Sequence, residues 1–179
     1  MATTHTRLMT FAEFEQLPDE VCRRHELRRG ELVQVAPPIH GHYLVQRRLR
    51  RALESAAGDA GVVDTEMAFR ALPEYEYRVA DVAFLTHDRW DKIPRNGTLA
   101  GAPELVIEVL SPSNTRTALR ERGKLCLENG SREFWIVDLD HRQIEISTPD
   151  GSTRTYTSGQ QIPLFFAAGA TLAVDAVFS

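Results

Sequence analysis

Apolar and polar residues along this chain follow two periods, and the periods divide it into strands and helices. The most apolar stretch, residues 103–113, reads as a buried strand: several of its residues are β-branched, and Ser111, Pro112 and Ser113 stop the run. A second apolar strand covers residues 79–85. Before it, residues 62–71 read as a strand and Pro73 to Tyr77 as a turn or loop. Residues 133–138 read as a further strand with Trp135 in the core, and 142–148 with 152–157 as a hairpin around Pro149, Asp150 and Gly151. Residues 25–35 pattern as another hairpin, turning near Arg29 and Gly30 and ended by Pro37 and Pro38.

Helical spacing takes over between these runs. From about Ile39 to Ala57, His42, Val45, Leu49, Ala52, Leu53 and Ala56 make one inward stripe, while Arg47, Arg48, Arg50 and Arg51 ring the other faces. Those arginines are either a solvated surface or phosphate-binding charge. A short helix is expected over residues 10–17, with Thr10 and Glu13 as a capping box and Phe11, Phe14 and Leu17 docking it. Another starts after the Pro112 turn, capped by Ser113 or Asn114, and ends near Asn129 and Gly130. On that helix Ala118, Leu119, Arg122, Leu125 and Cys126 share a face, so Arg122 is its inward cation and Lys124 lies on the outer side. Residues 87–101 read as a long polar loop, and 162–178 as a closing strand and turn. No repeat, linker or low-complexity tract divides the chain, which reads as one domain over 1–179 with a core of about 24–148.

Two positions break the apolar pattern. Glu108 lies in the middle of one buried strand and Asp81 in the middle of another. A carboxylate there is costly without a partner. Strict alternation puts Asp81 on a face with Val79, Ala83 and Leu85. If the strands are neighbours and both acids point one way, each raises the other's pKa unless a cation intervenes. Oxygen donors without a His or Cys cluster suit Mg²⁺ or Mn²⁺ rather than Zn²⁺. The plainer alternative is that one acid pairs with an arginine, or ends a strand as a turn residue. Glu26, on the first hairpin, reads by itself as an exposed strand acid, and His42 as a satisfied core histidine.

Composition narrows the partners only slightly. Net charge is −4, so no global basic footprint for nucleic acid exists, although a local basic groove is compatible with it. Cys22 and Cys126 make no disulfide framework, which suits a reducing compartment. The first residues carry no apolar run for a signal peptide, and no segment is long enough to span a bilayer. The expectation is a cytoplasmic protein.

The order of parts (strand with Asp, long loop, strand with Glu, helix with an inward cation, strand) resembles the PD-(D/E)XK nuclease superfamily. More closely the chain resembles the Uma-two family of restriction-endonuclease-like proteins. The matching stretches are His25 to Leu27 with Gly30 to Leu32, Pro37 and Pro38 with His42, Ala80 to Val82, Pro103 to Ser113, and Gly130 with Glu133 to Asp138. The resemblance implies an α/β (mixed α+β) fold: a mixed β-sheet flanked by helices, with an N-terminal hairpin and C-terminal β additions. It implies a divalent metal, Mg²⁺ or Mn²⁺, on Asp81 and Glu108 with the Val109 carbonyl as a further ligand. It implies hydrolysis of DNA phosphodiester bonds by a metal-activated water, with Glu26 and His42 beside the pocket. Two departures bear on activity. The superfamily's lysine two residues after the acid is Leu110 here, and the lysine that the family supplies from the following helix is Arg122. An arginine stabilises phosphate charge but cannot serve as a base. Cys126 stands where the family often has Tyr.

Three readings follow. The first is a metal-dependent DNA endonuclease with Asp81 and Glu108 as ligands, Arg122 as transition-state cation, and Glu26 and His42 in support. The second is a nuclease-fold protein that binds nucleic acid or a protein partner without catalysis, which Arg122 and the acidic net charge favour. The third is a different metal-dependent phosphoryl hydrolase, for which only the acid pair speaks. The apolar C-terminal half and edge hairpins also suggest a homodimer.

Overall fold

The computed structural model describes residues 7–112 and 114–179. Two short helices open it, α1 (Phe11–Phe14) and α2 (Asp19–Cys22). Thr10 caps α1 in the expected box: its hydroxyl accepts from the Glu13 N–H and the Glu13 carboxylate accepts from its own. The helix stops at Phe14, short of the expected Leu17. The hairpin β1 (His25–Arg28) and β2 (Glu31–Gln34) turns where expected, through Arg29 at φ 50° and Gly30 at φ 81°. Gly30 has a second reason to lack a side chain, because a Cβ there would lie 2.6 Å from that of Leu8.

Helix α3 (His40–Ala57) buries His42, Val45, Leu49 and Leu53 of the anticipated stripe, half-buries Ala52 and Ala56, and adds Gln46 and Ala57. Strands β3 (Gly61–Arg70) and β4 (Arg78–Thr86) follow. The expected polar loop at 87–101 proves to hold a one-turn helix, α4 (His87–Trp90), and a two-residue strand, β5 (Leu99–Ala100). Both are too short to leave a periodic signal. Next come β6 (Leu105–Val109), α5 (Arg116–Glu128), β7 (Glu133–Asp138), β8 (Gln143–Ser147) and β9 (Thr153–Tyr156). The N-cap of α5 is Thr115, whose hydroxyl accepts from the Ala118 N–H, in place of Asn114; the Ser113 alternative lies outside the described residues. Asn114 instead accepts from the Ser111 N–H and closes the turn before the helix. The tail forms a separate hairpin, β10 (Gln161–Pro163) with β11 (Thr171–Ala173), and a last short helix, α6 (Val174–Phe178).

Seven strands make one mixed sheet in the order β5-β3-β4-β6-β7-β8-β9. β6 and β7 run parallel with α5 as their crossover, and β4 pairs antiparallel with β6. Leu105, Ile107, Val109, Trp135 and Val137 pack toward α3 and the C-terminal tail, whereas Val106, Phe134 and Ile136 pack toward α5. A mixed sheet with helices on both faces, a hairpin before it and β additions after it is the expected architecture. Among the described residues no helix is long and apolar enough to cross a membrane.

Gly123 sets how closely α5 lies on the sheet. A Cβ at this position would meet the Phe134 ring at 2.7 Å. In an exposed helix Gly→Ala gains about 1 kcal/mol. Here the clash dominates, and Gly123→Ala is expected to cost about 1–3 kcal/mol. For a chain of this size that lowers the melting temperature by about 3–10 °C, measurable by scanning fluorimetry. An increase would show that the helix lifts without penalty.

Candidate functional site

The β4–β6 ladder pairs Phe84 with Leu105, Ala83 with Val106 and Val82 with Ile107, and ends there. One step further in the same register would set Asp81 opposite Glu108. The step is not made: the Val109 N–H donates to Asp81 Oδ2 at 2.7 Å, and the strands fork with the two acids at the fork. On the other side of β4, the β3 ladder is complete on either flank of the step that would join Glu66 to Asp81, and that step is missing too. Glu66, Asp81 and Glu108 therefore occupy one row across three adjacent strands.

Glu66 is the reason the row is irregular. Its φ of 55° is rare for a residue with a side chain and interrupts the pleat. In β3, Val63 packs on the α3 side but Met67 and Phe69 on the α5 side, although unbroken alternation would keep all three together. In β4, Ala80 joins Ala83 and Leu85 instead of Val82 and Phe84. The expectation that Asp81 shares a face with Ala83 and Leu85 is thus corrected. Asp81 sits at the reversal and meets α3: Gln46 Nε2 donates to its Oδ1 at 3.2 Å, and His42 Nε2 lies 3.0 Å from the same oxygen. Gln46 also donates to Glu66 Oε1 at 2.6 Å, bridging the two acids.

Arg122 enters from α5. Its Nη2 donates to the Val79 carbonyl at 2.7 Å and lies 3.1 Å from Glu108 Oε1, while Nη1 is 3.4 Å from Glu26 Oε1. Glu26 is buried, contrary to its reading as an exposed acid. It accepts from the Val79 N–H at 3.1 Å and from Arg28 at 2.9 and 3.0 Å, with Arg78 at 3.5 Å. Lys124 stands on the outer side, as expected, beside Glu128. Cys126 is buried among apolar groups and its thiol is pushed up to about 12, which leaves it unreactive.

The electrostatics of these groups differ sharply. Burial would raise Glu26, but Arg122, Arg78, the Val79 N–H and Arg28 together hold it below the usual carboxylate range. Burial dominates at Glu108: despite Arg122 its pKa is pushed well up, and the charges of Asp81 and Glu26 add to the push. Glu66 is exposed as a residue but turns its carboxyl into the site, where desolvation and Asp81 raise it. Burial lowers His42, yet Asp81 and Glu66 outweigh that and hold it above the ordinary histidine value.

Glu26, His42, Glu66, Asp81, Glu108 and Arg122 all line one cavity of about 540 Å³. A larger, more open hollow of about 830 Å³ beside α1 and α4 holds no buried carboxylate. The alternative of an acid paired with arginine is met in part, at Glu108 and Arg122. The pairing is incomplete: Glu108 Oε1 is buried and the Arg122 contact is too poorly aligned to be a hydrogen bond. In the connected set, Glu26, Glu66, Glu76, Asp81 and Glu108 face Arg28, Arg78 and Arg122. With every carboxylate ionised the set is short of two positive charges, or of one with His42 protonated as well. Among the described residues no group of three or more His, Cys, Asp and Glu side chains is arranged to hold a metal ion. Asp81, Glu108 and the Val109 main-chain carbonyl, the ligands that the family resemblance implies, are all hard oxygen donors. The Val109 carbonyl faces Asn114 Nδ2 at a long 3.4 Å.

Asp81, Glu108 and Arg122 were each visible as a charge inside an apolar pattern. Gln46, Glu66 and Arg78 were not singled out. Gln46 had a signal, since it follows His42 by four residues and so falls on the same inward face. Glu66 and Arg78 had none, because their roles arise from strand register.

Residues 11–175 match the model of the Uma2 family, described as "Putative restriction endonuclease". Among solved structures the chain is similar to a crystal structure from Anabaena variabilis described as a "putative nuclease belonging to DUF820". The two superpose with a TM-score of 0.81 at 23% identity, over 95% of this chain and 97% of that one. At that identity the likeness speaks for the fold. No curated protein gives a significant match.

Proposed function

The chain belongs to the Uma2 family of restriction-endonuclease-like proteins, and from that premise we propose that it is a metal-dependent DNA endonuclease, acting as a single nuclease-like domain. The observation that carries this reading is the buried Glu108 oxygen, short of a partner, at the fork where Asp81 flanks the same cavity. The unpartnered carboxylate oxygen suits a divalent cation, Mg²⁺ or Mn²⁺, which Asp81, Glu108 and the Val109 carbonyl would hold. Bound, it would polarise a phosphoryl oxygen and lower the pKa of water.

The chain's own residues do the rest. Arg122, aimed into the cavity, places a permanent charge where negative charge grows on phosphorus. Glu26 holds Arg122 in line and ties it to the β4 backbone through Val79. His42 and Gln46 orient Asp81 from the helix side. Glu26 and His42 thus act through Arg122 and Asp81.

Relaxation of supercoiled plasmid in Mg²⁺ or Mn²⁺ tests the proposal. The wild-type chain is expected to nick, and Asp81→Ala and Glu108→Ala to lose about a hundred-fold or more. Nicking that survives both substitutions would move the chemistry elsewhere. A wild-type chain that binds DNA and never nicks it would favour the non-catalytic reading, which the Arg122–Glu108 contact supports.

A further inference from the structure

Four arginines ring the outer faces of α3, and the structure separates them. Arg50 is spent on Glu54 at 3.5 Å and Asp64 at 3.1 Å, and Arg48 reaches the Val177 carbonyl. Arg47 and Arg51 are exposed and make no ion pair or side-chain hydrogen bond among the described residues. They continue a line that begins at the cavity. Ile39, Tyr43, Arg47 and Arg51 follow at four-residue intervals, one slowly turning stripe about 18 Å long at 1.5 Å per residue. Its first member lines the cavity mouth, as does Val35. Val35, Ile39 and Tyr43 are 43%, 58% and 48% exposed, unusual for large apolar and aromatic side chains.

Resting on the nuclease reading, we infer that this stripe is the track of an unpaired nucleic-acid strand, with bases stacked on Tyr43 and against Ile39 and Val35 at the mouth and phosphates on Arg47 and Arg51. An exposed ring next to unpaired arginines is how proteins bind single strands without sequence preference. A duplex suits the face poorly, because its bases are stacked inward and its phosphates would meet the apolar rim. The acids point the same way: Glu108, only 3% exposed, lines a hollow of about 540 Å³, the scale of a small-ligand site, which suits a nucleotide turned out of the stack better than a stacked duplex. The substrate class is therefore DNA with an unpaired segment, such as a flap, a frayed end or a bubble.

The test is binding without cleavage. Fluorescence anisotropy in EDTA compares a labelled oligo-dT with a blunt duplex of equal length. The single strand is expected to bind at least about ten-fold more tightly, and Tyr43→Ala to weaken it about ten-fold or more with little change on the duplex. Arg47→Ala and Arg51→Ala each flatten the salt dependence by about one unit of slope. Equal affinities for strand and duplex, or a Tyr43→Ala variant that binds the strand as wild type does, would overturn the inference. So would light scattering that shows a dimer which Tyr43→Ala dissociates, since the rim would then belong to a second copy. Cleavage of a flap- or bubble-bearing duplex in Mn²⁺ decides the nuclease reading separately: a chain that cuts neither this substrate nor plasmid but needs Tyr43 for single strands refutes that reading and keeps the strand-binding track.

Discussion

Mn²⁺ raises the melting temperature of the wild-type chain, and Asp81→Ala or Glu108→Ala abolishes the gain. Binding to the folded state alone at a hundred times the dissociation constant stabilises by about 2.7 kcal/mol. In a domain of this size that is about 5–11 °C. The sign follows from the site. Without a cation the fold keeps Glu108 short of positive charge, and its pKa is raised well above the usual range. The native state then binds more protons than the unfolded chain, so ionising Glu108 takes stability away as pH rises above the ordinary carboxylate value. A metal replaces the proton, and the Mn²⁺ gain therefore grows as pH rises above the ordinary carboxylate value. Equal gains in wild type and both variants would remove the metal site.

Arg122→Met is expected to be among the most destabilising single changes in the chain, and Arg122→Lys to be tolerated. The methionine leaves Glu26 and Glu108 buried without their shared cation, a loss of about 3–5 kcal/mol, or about 6–20 °C in melting temperature. Lysine keeps the charge, gives up the fork that spans Glu26, Glu108 and the Val79 carbonyl, and restores the compact ammonium that the family resemblance implies at this position. It is expected to raise plasmid nicking in Mg²⁺ or Mn²⁺. Nicking that falls with Arg122→Lys would show that the arginine itself is the better group. A methionine variant as stable as wild type would show that the acids are neutralised by protons and that the ion pairs add little.

The fold and part of the candidate site were legible beforehand for the same reason. An apolar run or stripe states its own period, and a charge inside it stands out. Glu108, Asp81 and Arg122 were found in this way, and so was the inward position of His42. Glu26 was found by family likeness, since on a hairpin of alternating residues an acid has no reason to read as buried. The Thr10 capping box and the Gly30 turn were also readable, because each is a contact between residues a few positions apart.

What lay beyond reach was set by partners distant in the chain. Alternation alone sets Asp81 on the face of Ala83 and Leu85, and only the left-handed backbone at Glu66, on the neighbouring strand, reverses the pleat and turns it toward Gln46 and His42. The alignment of Glu66, Asp81 and Glu108 in one row depends on two strand registers, and a register is chosen by packing between strands. Whether Arg122 neutralises Glu108 or leaves its oxygen wanting depends on angles at the end of a long side chain, set by how closely Gly123 lets α5 approach Phe134. Periodicity is a local property and was written in the residues. The charge balance of the cavity is a sum over six elements, and it came into being only when they packed together.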